Sequence, residues 1–389
     1  MKQKIGILGS TGSIGKTTLS IISENKNNFS IELLSINKNI IELKKQIKEF
    51  NVKNIIINDF ETYSKNKSFF NKKKINTFNN FKEFKLNYNK RFDYIMAAIS
   101  GLDGFESTLE SIEITKKIAI ANKESIICGW NLIKKRLKKF NTKFIPVDSE
   151  HFSIWSLLNN TNSSNQDIKK IYITASGGPF LNYDLNKIYN IKPKQALKHP
   201  TWKMGKKISI DSATLMNKVF EVIEARNIFN IPYDKIEILI HPKSYIHSII
   251  EFKNGLIKVL AHETSMKIPI INSLSEINNI DLSFKNFDFN KLNNLNLSRP
   301  DIKKFPSLSI LKFLPNKQSI FECILISAND ELVDLFLKNK IKFQDVSKKL
   351  LKFIQLKEFI KFKKKSPKNI NEIKKISNYV SLKIKSLSV

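Results

Sequence analysis

Short apolar runs separated by amphipathic stretches dominate the first third of the chain. Residues 4–9 have the composition of a buried strand and 16–24 that of a short helix. A second strand follows at 31–36 (IELLSI), a helix at 40–50 and a third strand at 53–58 (KNIIIN). Further strands are predicted at 93–99 (DYIMAAI), 117–121 and 143–147 (KFIPV). Strands that alternate with helical stretches need crossovers, so residues 1–149 are predicted to be an α/β domain with a doubly wound, mostly parallel sheet. The pattern then changes: strands at 170–174, 235–240, 245–252 and 256–261 cluster around a long helix predicted at 212–228, an α+β arrangement over 150–280. The Asn-rich segment 281–305 has the composition of a linker. From 306 to 389 the apolar spacing is helical, with the lysine-rich run from Lys361 to Lys368 predicted to be a solvated connection.

Bulk composition narrows the class. At 389 residues with 41% hydrophobic content, the chain can build two or three cores of ordinary size, roughly 100–200 residues each. No apolar run approaches the ~20 residues of a membrane helix. Strand-like sequence begins by Lys4, so neither a membrane segment nor a leader is expected and the cytoplasm is the predicted location. The two cysteines, Cys128 and Cys323, are far apart in sequence and lack a CxxC partner, which fits a reducing compartment better than a disulfide or zinc scaffold. A formal charge of +31 (66 Lys and Arg against 35 Asp and Glu) raises nucleic acid as a partner. The lysines, however, are scattered along the whole chain beside abundant Asn and Ile, residues that A/T-rich codons specify. Genome composition accounts for them, and no specific nucleic-acid partner is expected. A small anionic substrate would still be steered toward such a protein.

The stretch KIGILGSTGSIGKTTLS at 4–20 carries two readings. A P-loop needs Gly, four residues, then Gly-Lys-Ser/Thr. Counting back from Gly15 puts that first glycine at Ser10, with Gly9 one residue too early. As a dinucleotide turn, GSTGSIG is a GxGxxG variant with Thr11 at the second glycine position and Gly12 just after it. Glycines there let the backbone approach a pyrophosphate at a helix N-terminus. The second predicted strand ends in Ile36-Asn37-Lys38-Asn39 without the acid that holds the ribose of NAD. Lys38 fits a 2′-phosphate, hence NADPH, and fits a solvated turn equally well.

Candidate chemistry gathers further along. Asp148 and Glu150, in VDSE after a predicted strand, project to one side if the backbone stays extended. Paired carboxylates suit a hard divalent ion such as Mg²⁺ or Mn²⁺, and an ordinary polar loop would carry the same residues. In SATLMNKVFEVIEARN, residues Thr214, Asn217, Lys218 and Glu221 form one polar stripe flanked by apolar positions. This is either the wet side of a helix or the lining of a cleft, with Ser212 expected at the N-cap where hydroxyl and dipole suit phosphate. Ser176 lies in a glycine-rich turn. Trp202 and Met204 occupy a loop (HPTWKMGKK) that reads as a lid over a site or as a core anchor. His241 and His247 are read as structural, and His262 carries no signal.

Together, GILGSTGSIG, MAAISGLDG, ANKES, PVDSEH, SGGPF, HPTWKMGKK, ISIDSATLMNK with Glu221, IHPKSYIHS and ISANDE, in this order, resemble the 1-deoxy-D-xylulose 5-phosphate reductoisomerase family. The resemblance implies a homodimer of three-part chains: an NADPH-binding Rossmann-like domain (1–149), a central catalytic and dimerisation domain (150–280), a linker (281–305) and a helical C-terminal domain (306–389). It implies Asp148, Glu150 and Glu221 as ligands of Mg²⁺ or Mn²⁺, with Lys123 and Ser149 beside the metal and the reacting oxygens. Ser176, His199, Ser212, Asn217 and Lys218 would hold the substrate phosphate and distal hydroxyl, under a flap carrying Trp202 and Met204. Cofactor contacts would come from Gly9, Thr11, Gly12, Ser13, Ile14, Asn37, Lys38, Asn39, Asn122, Glu124 and Gly205. In the family, retro-aldol cleavage and re-aldolisation precede hydride transfer from NADPH, and no membrane partner is implied. The chain departs from the family pattern at Asn37, Thr201, Val219 and Phe220, and lacks a Trp-Pro element near 273–280.

Overall fold

The structure, a computed structural model, describes residues 1–159, 167–202, 204–276, 288–293 and 295–387. It divides into two compact units: the first contains Met1–Ser125, Asn131–Phe152 and the described residues of 265–285; the second contains Ile126–Trp130, Ser153–Thr264 and the described residues of 286–389. The strip 265–276, expected in the central domain, thus clusters with the first unit.

In the first unit the order is β1 (Gln3–Leu8), α1 (Ser13–Glu24), β2 (Phe29–Ile36), α2 (Ile40–Phe50), β3 (Asn54–Ile57), α3 (Phe60–Lys72), β4 (Asn76–Phe78), α4 (Phe81–Leu86), β5 (Phe92–Ala97), α5 (Asp103–Ile112) and β6 (Thr115–Ile120). Then come α6 (Lys123–Phe140), kinked at Gly129, β7 (Lys143–Pro146) and the start of α7 (Ser149–Asn159). The strands pair in parallel in the order β4-β3-β2-β1-β5-β6-β7. Burial on both faces explains their continuous apolar runs, such as Ile5, Ile7 and Leu8 in β1 and Tyr94, Ile95 and Met96 in β5. The apolar pattern does not predict β4, since three residues, NTF, give no periodicity. Asn and Asp start the helices: Asn39, Asp59, Asn80 and Asn122 accept the backbone N–H groups of Glu42, Thr62, Glu83 and Ser125 as N-caps of α2, α3, α4 and α6.

The second unit holds β8 (Ile168–Ala175), two single turns α8 (Leu185–Ile188) and α9 (Pro193–Ala196), α10 (Lys206–Ala213), α11 (Met216–Phe229), β9 (Ile236–Ile240), β10 (Ile246–Phe252) and β11 (Ile257–Ala261). The sheet order is β11-β10-β8-β9, with β8 and β9 parallel and the other pairs antiparallel. α12 (Lys267–Ser275) belongs to the first unit, where Ser273 Oγ lies 2.7 Å from Tyr94 Oη. A 3₁₀ segment (Pro306–Phe313), α13 (Ile320–Leu337), α14 (Phe343–Ile354), α15 (Lys357–Ile360) and α16 (Ile370–Leu387) complete the second unit as the helical region expected after Pro306. The expected linker lies partly outside the described residues. Within it Phe289–Lys291 form a 3₁₀ turn, and Ser298 bridges to Ile240. Residues 277–280 of the segment that lacks Trp-Pro are also outside the description.

One expectation about local structure is corrected. The single helix at 212–228 is two helices, because Leu215 takes a left-handed conformation (φ 58°) between α10 and α11. Ser212 therefore sits in the last turn of α10, not at the N-cap of the longer helix, and Thr214 lies outside the stripe. The cysteines are spatial neighbours: the fully buried Cys323 thiol points at the Cys128 carbonyl oxygen, 3.6 Å away.

The turn after β1 is held by close backbone contacts. A Cβ at Gly15 would lie 2.4 Å from Gly9 O and 2.6 Å from Ser10 Cα, main-chain atoms that cannot step aside. Gly205, with φ −64° and no neighbour within 4 Å of a built Cβ, is the opposite case. Gly15→Ala is expected to lower unfolding free energy by about 1–3 kcal/mol in urea titration, whereas Gly205→Ala stays within about 0.5 kcal/mol.

Candidate functional site

In the first unit, candidate residues collect at the carboxyl ends of the parallel strands. The chain leaves β1 toward β2 on one side and β5 on the other. This reversal of strand order is where open α/β sheets bind ligands. Gly9 adopts φ 85°, and its N–H donates to the backbone oxygen and Oγ of Ser35, both at 3.1 Å. The loop is fastened by a residue the sequence did not suggest: Gln46 of α2 accepts from Ser10 Oγ (2.8 Å) and donates to Ser10 O (3.0 Å), all of it buried. Thr11, Gly12, Ser13 and Ile14 thus lie on a fixed turn that runs into α1, with Gly12 at the N-cap. At the end of β2, Lys38 is exposed and 3.3 Å from Asp59 Oδ2, next to Asn37 and the capping Asn39. Asn122 ties two strand ends together, donating to the carbonyls of Ile99 and Gly101 (2.7 Å to Gly101), while Glu124 accepts from Gly101 N–H.

The carboxylates after β7 are arranged by a helix start, not by strand alternation as expected. Asp148 precedes α7; its carbonyl accepts Phe152 N–H (2.8 Å) and its Oδ1 lies 3.3 Å from Glu150 N. Glu150 is therefore a first-turn residue, with its Oε2 taking Ser149 Oγ at 2.5 Å. Lys123 Nζ stands 2.5 Å from Asp148 Oδ2, and His151 Nδ1 is 3.3 Å from Oδ1. Burial pushes the Asp148 carboxyl up, but the Lys123 ammonium and His151 outweigh it and hold the pKa well below the usual range. His151 was not singled out in the sequence; its i, i+3 spacing from Asp148 was the available signal.

In the second unit, β8 runs into Ser176-Gly177-Gly178, both glycines having positive φ (83° and 67°). Ser176 Oγ lies 3.3 Å from His199 Nε2, which is 3.0 Å from Ser212 Oγ. His199 Nδ1 accepts the backbone N–H of Trp202 (2.9 Å) and Thr201 (3.2 Å). An acceptor Nδ1 assigns the proton to Nε2, so the neutral ring donates toward the two hydroxyls. Burial, with the Lys218 charge adding to it, pushes the His199 pKa down to about 4. α11 is buried nearly all round, as the cleft-lining reading requires. On it Glu221, 1% exposed, takes Lys218 Nζ at 2.7 Å and the Asn217 amide.

Trp202 is half-buried with its ring 6.5 Å from that of His247, edge to face. His247 stacks on His262 at 3.7 Å, so both sit beside the candidate flap, a role sequence alone did not give them. Met204 and Gly205 follow at the entrance to α10.

Comparison with known proteins shows the family. Models of the 1-deoxy-D-xylulose 5-phosphate reductoisomerase family match residues 5–129, and those of its C-terminal domains match residues 144–229 and 262–381. The chain is 57% identical over 389 residues, 100% of both chains, to the 1-deoxy-D-xylulose 5-phosphate reductoisomerase of Pelagibacter ubique (strain HTCC1062). It is 40% identical over 359 residues, 88% of each, to that of Wolbachia sp. subsp. Drosophila simulans (strain wRi). Among solved structures it is similar to the Zymomonas mobilis enzyme in complex with NADPH (31% identity, TM-score 0.88, covering 100% of this chain and 99% of the other). It is also similar to a DOX-P reductoisomerase in complex with NADPH, fosmidomycin and magnesium (29% identity, TM-score 0.91, 99% and 98% covered).

The His199 assignment is open to titration. Its folded pKa, about 4, lies below the ordinary 6.5. Over that interval the unfolded chain binds the extra proton, so stability is unaffected above about pH 6.5 and falls as the pH drops toward 4. In an NMR titration the His199 Hε1 resonance should stay flat from pH 8 to about 5.5. A midpoint near 6.5 would contradict the geometry.

Proposed function

Because the chain belongs to the 1-deoxy-D-xylulose 5-phosphate reductoisomerase family, we propose the following division of work among its residues. The activity itself is the NADPH- and divalent-metal-dependent rearrangement and reduction of 1-deoxy-D-xylulose 5-phosphate to 2-C-methyl-D-erythritol 4-phosphate, a step of non-mevalonate isoprenoid biosynthesis. Asp148, Glu150 and Glu221 hold the divalent ion. The donor set supports this reading: all-oxygen carboxylates suit Mg²⁺ or Mn²⁺, and Asp148 is kept ionised by its surroundings. Bound there, a hard divalent ion supplies Lewis-acid polarisation of the substrate carbonyl, and NADPH supplies hydride. Lys123 and Ser149, each hydrogen-bonded to one of these carboxylates, lie beside the reacting oxygens.

Ser176, Ser212 and His199 grip the substrate phosphate, with Lys218 as the fixed charge and Asn217 reaching the distal hydroxyl. The observation that carries this assignment is the linked Ser176–His199–Ser212 cluster, whose ring is a neutral donor inside the field of Lys218. Holding the unreactive phosphate end orients the reacting carbons. Trp202 and Met204 cover the sugar and exclude water. The cofactor lies along Gly9, Thr11, Gly12, Ser13 and Ile14, with Asn37, Lys38 and Asn39 at its 2′-phosphate and Asn122, Glu124 and Gly205 toward the nicotinamide.

Residues 1–149, 150–280 and 306–389, with 281–305 as connector, act as cofactor, catalytic and helical parts. Two copies associate through β11, an edge strand that, with Leu256 just before it, leaves Leu256, Ile257 and Val259 57%, 64% and 46% exposed. Among the described residues no helix is long and apolar enough to cross a membrane. Two buried free thiols suit the cytoplasm.

Glu221→Gln is expected to lower kcat/KM for the sugar phosphate at least about 100-fold, and to lower the melting temperature as well, because the buried Lys218 ammonium loses its counter-charge. EDTA should abolish wild-type NADPH oxidation, and Mg²⁺ or Mn²⁺ should restore it. Turnover of the wild-type order in the Gln variant would remove Glu221 from the metal. Separately, Ile257→Lys should shift the sedimentation coefficient from dimer to monomer; an unchanged value would move the interface elsewhere.

A further inference from the structure

α10 carries Ser212 one residue after a buried acid. Asp211 is 1% exposed, and its carboxylate turns away from the glycine-rich turn into the second unit's helical region. There Asn329 of α13, itself fully buried, donates its amide to Asp211 Oδ1 at 2.7 Å. Lys207, at the start of α10, meets Asp211 Oδ2 at 3.0 Å and Asp330 Oδ1 of α13 at 3.0 Å, and its Nζ stands 5.0 Å from the centre of the Phe220 ring. On the opposite side the backbone of α10 is in contact: a Cβ on Gly178 would fall 2.9 Å from Ser212 O. The short helix is thus clamped between the turn that bears Ser176 and two consecutive residues of α13.

From this clamp we infer that Asn329, with Lys207 and Asp330, is a positioning element for the reaction: it sets where Ser212 Oγ meets His199 and so the geometry of the phosphate grip. The inference rests on the reading of Ser212 and His199 as phosphate-binding residues. Its physical basis is that a buried carboxylate is held where its compensating donors are, and removing one of them obliges the acid to seek water or another partner. α10 has only eight residues and starts just after its N-cap Gly205, where a Cβ would meet open space. Such a helix follows its anchored side chain. The seam also gives ISANDE a function the catalytic reading left unused: Asn329 and Asp330 meet Asp211 and Lys207 of α10 and act through that helix.

The test uses the full-length enzyme with Mg²⁺ and NADPH. Asn329→Ala should raise KM for 1-deoxy-D-xylulose 5-phosphate, and Ki for inorganic phosphate as competitor, by roughly ten- to a hundredfold, with KM for NADPH unchanged. Lys207→Met, at a partly exposed position that leaves the core intact, should move the same two constants in the same direction by less. Adding Asn329→Ala to Ser212→Ala should produce little further loss, since both act on one contact. A lowered melting temperature with unaltered KM and Ki in both the Asn329 and Lys207 variants would make the seam merely structural. If Ser212→Ala raises KM and the Asn329 and Lys207 variants do not, the positioning role alone falls. If Ser212→Ala leaves KM and Ki at wild-type values, the phosphate reading falls and takes the positioning role with it.

Discussion

In each unit a carboxylate is matched to a lysine of the same unit: the partly buried Asp148 to Lys123 in the first, the buried Glu221 to Lys218 in the second. Desolvating an ion costs several kcal/mol, and a single well-placed counter-charge roughly offsets that cost, so such pairs add little net stability. Removing one partner is different, at about 3–5 kcal/mol, because the other charge is left uncompensated. The surrounding structure is therefore obliged to keep both members in register. α6 must present Lys123 at its first residue, just past the Asn122 cap, while Asp148 must sit where β7 hands over to α7. In the second unit Lys218 and Glu221 belong to one helix, which the left-handed Leu215 starts just upstream.

Sequence legibility followed burial. Strands enclosed on both faces were readable as apolar runs, and the glycine turn after β1 was readable from its spacing. Three-residue β4 was not, since no period can be seen in NTF. The break at Leu215 escaped because nothing in SATLMN marks a left-handed residue: Leu has no preference for it, and tertiary packing of a 1% exposed side chain imposes it. Asp148 and Glu150 were identified as a pair for a reason that the fold replaced. They sit together because one precedes a helix and the other opens it, not because an extended strand alternates its faces.

Long-range polar contacts were the least legible class. Gln46 on the Ser10 loop, Asn329 on Asp211 and the stacked His247–His262 pair each join residues with no local pattern linking them. A polar residue in a helix is read from sequence as the wet face, and only the fold shows which of these are dry. The Asn-rich composition misleads in the same way. Asn39, Asn80 and Asn122 are N-caps, where the side-chain oxygen closes an open backbone N–H, a role composition alone does not show.

The division of charge in the second unit explains why the histidine there is neutral. A phosphate monoester needs cationic charge and several short donors, and two adjacent cations in a partly dry site would repel each other before ligand arrives. Lys218 carries the charge and has Glu221 to balance it; His199 supplies direction, its proton fixed on Nε2 by two backbone donors at Nδ1. Were the ring protonated, Nδ1 would face those two N–H groups as a third donor, and the loop bearing Trp202 would lose its hold on the imidazole. The low histidine pKa follows from burial and from the Lys218 charge, while the pair of hydrogen bonds at Nδ1 fixes the tautomer and seats the loop that bears Trp202.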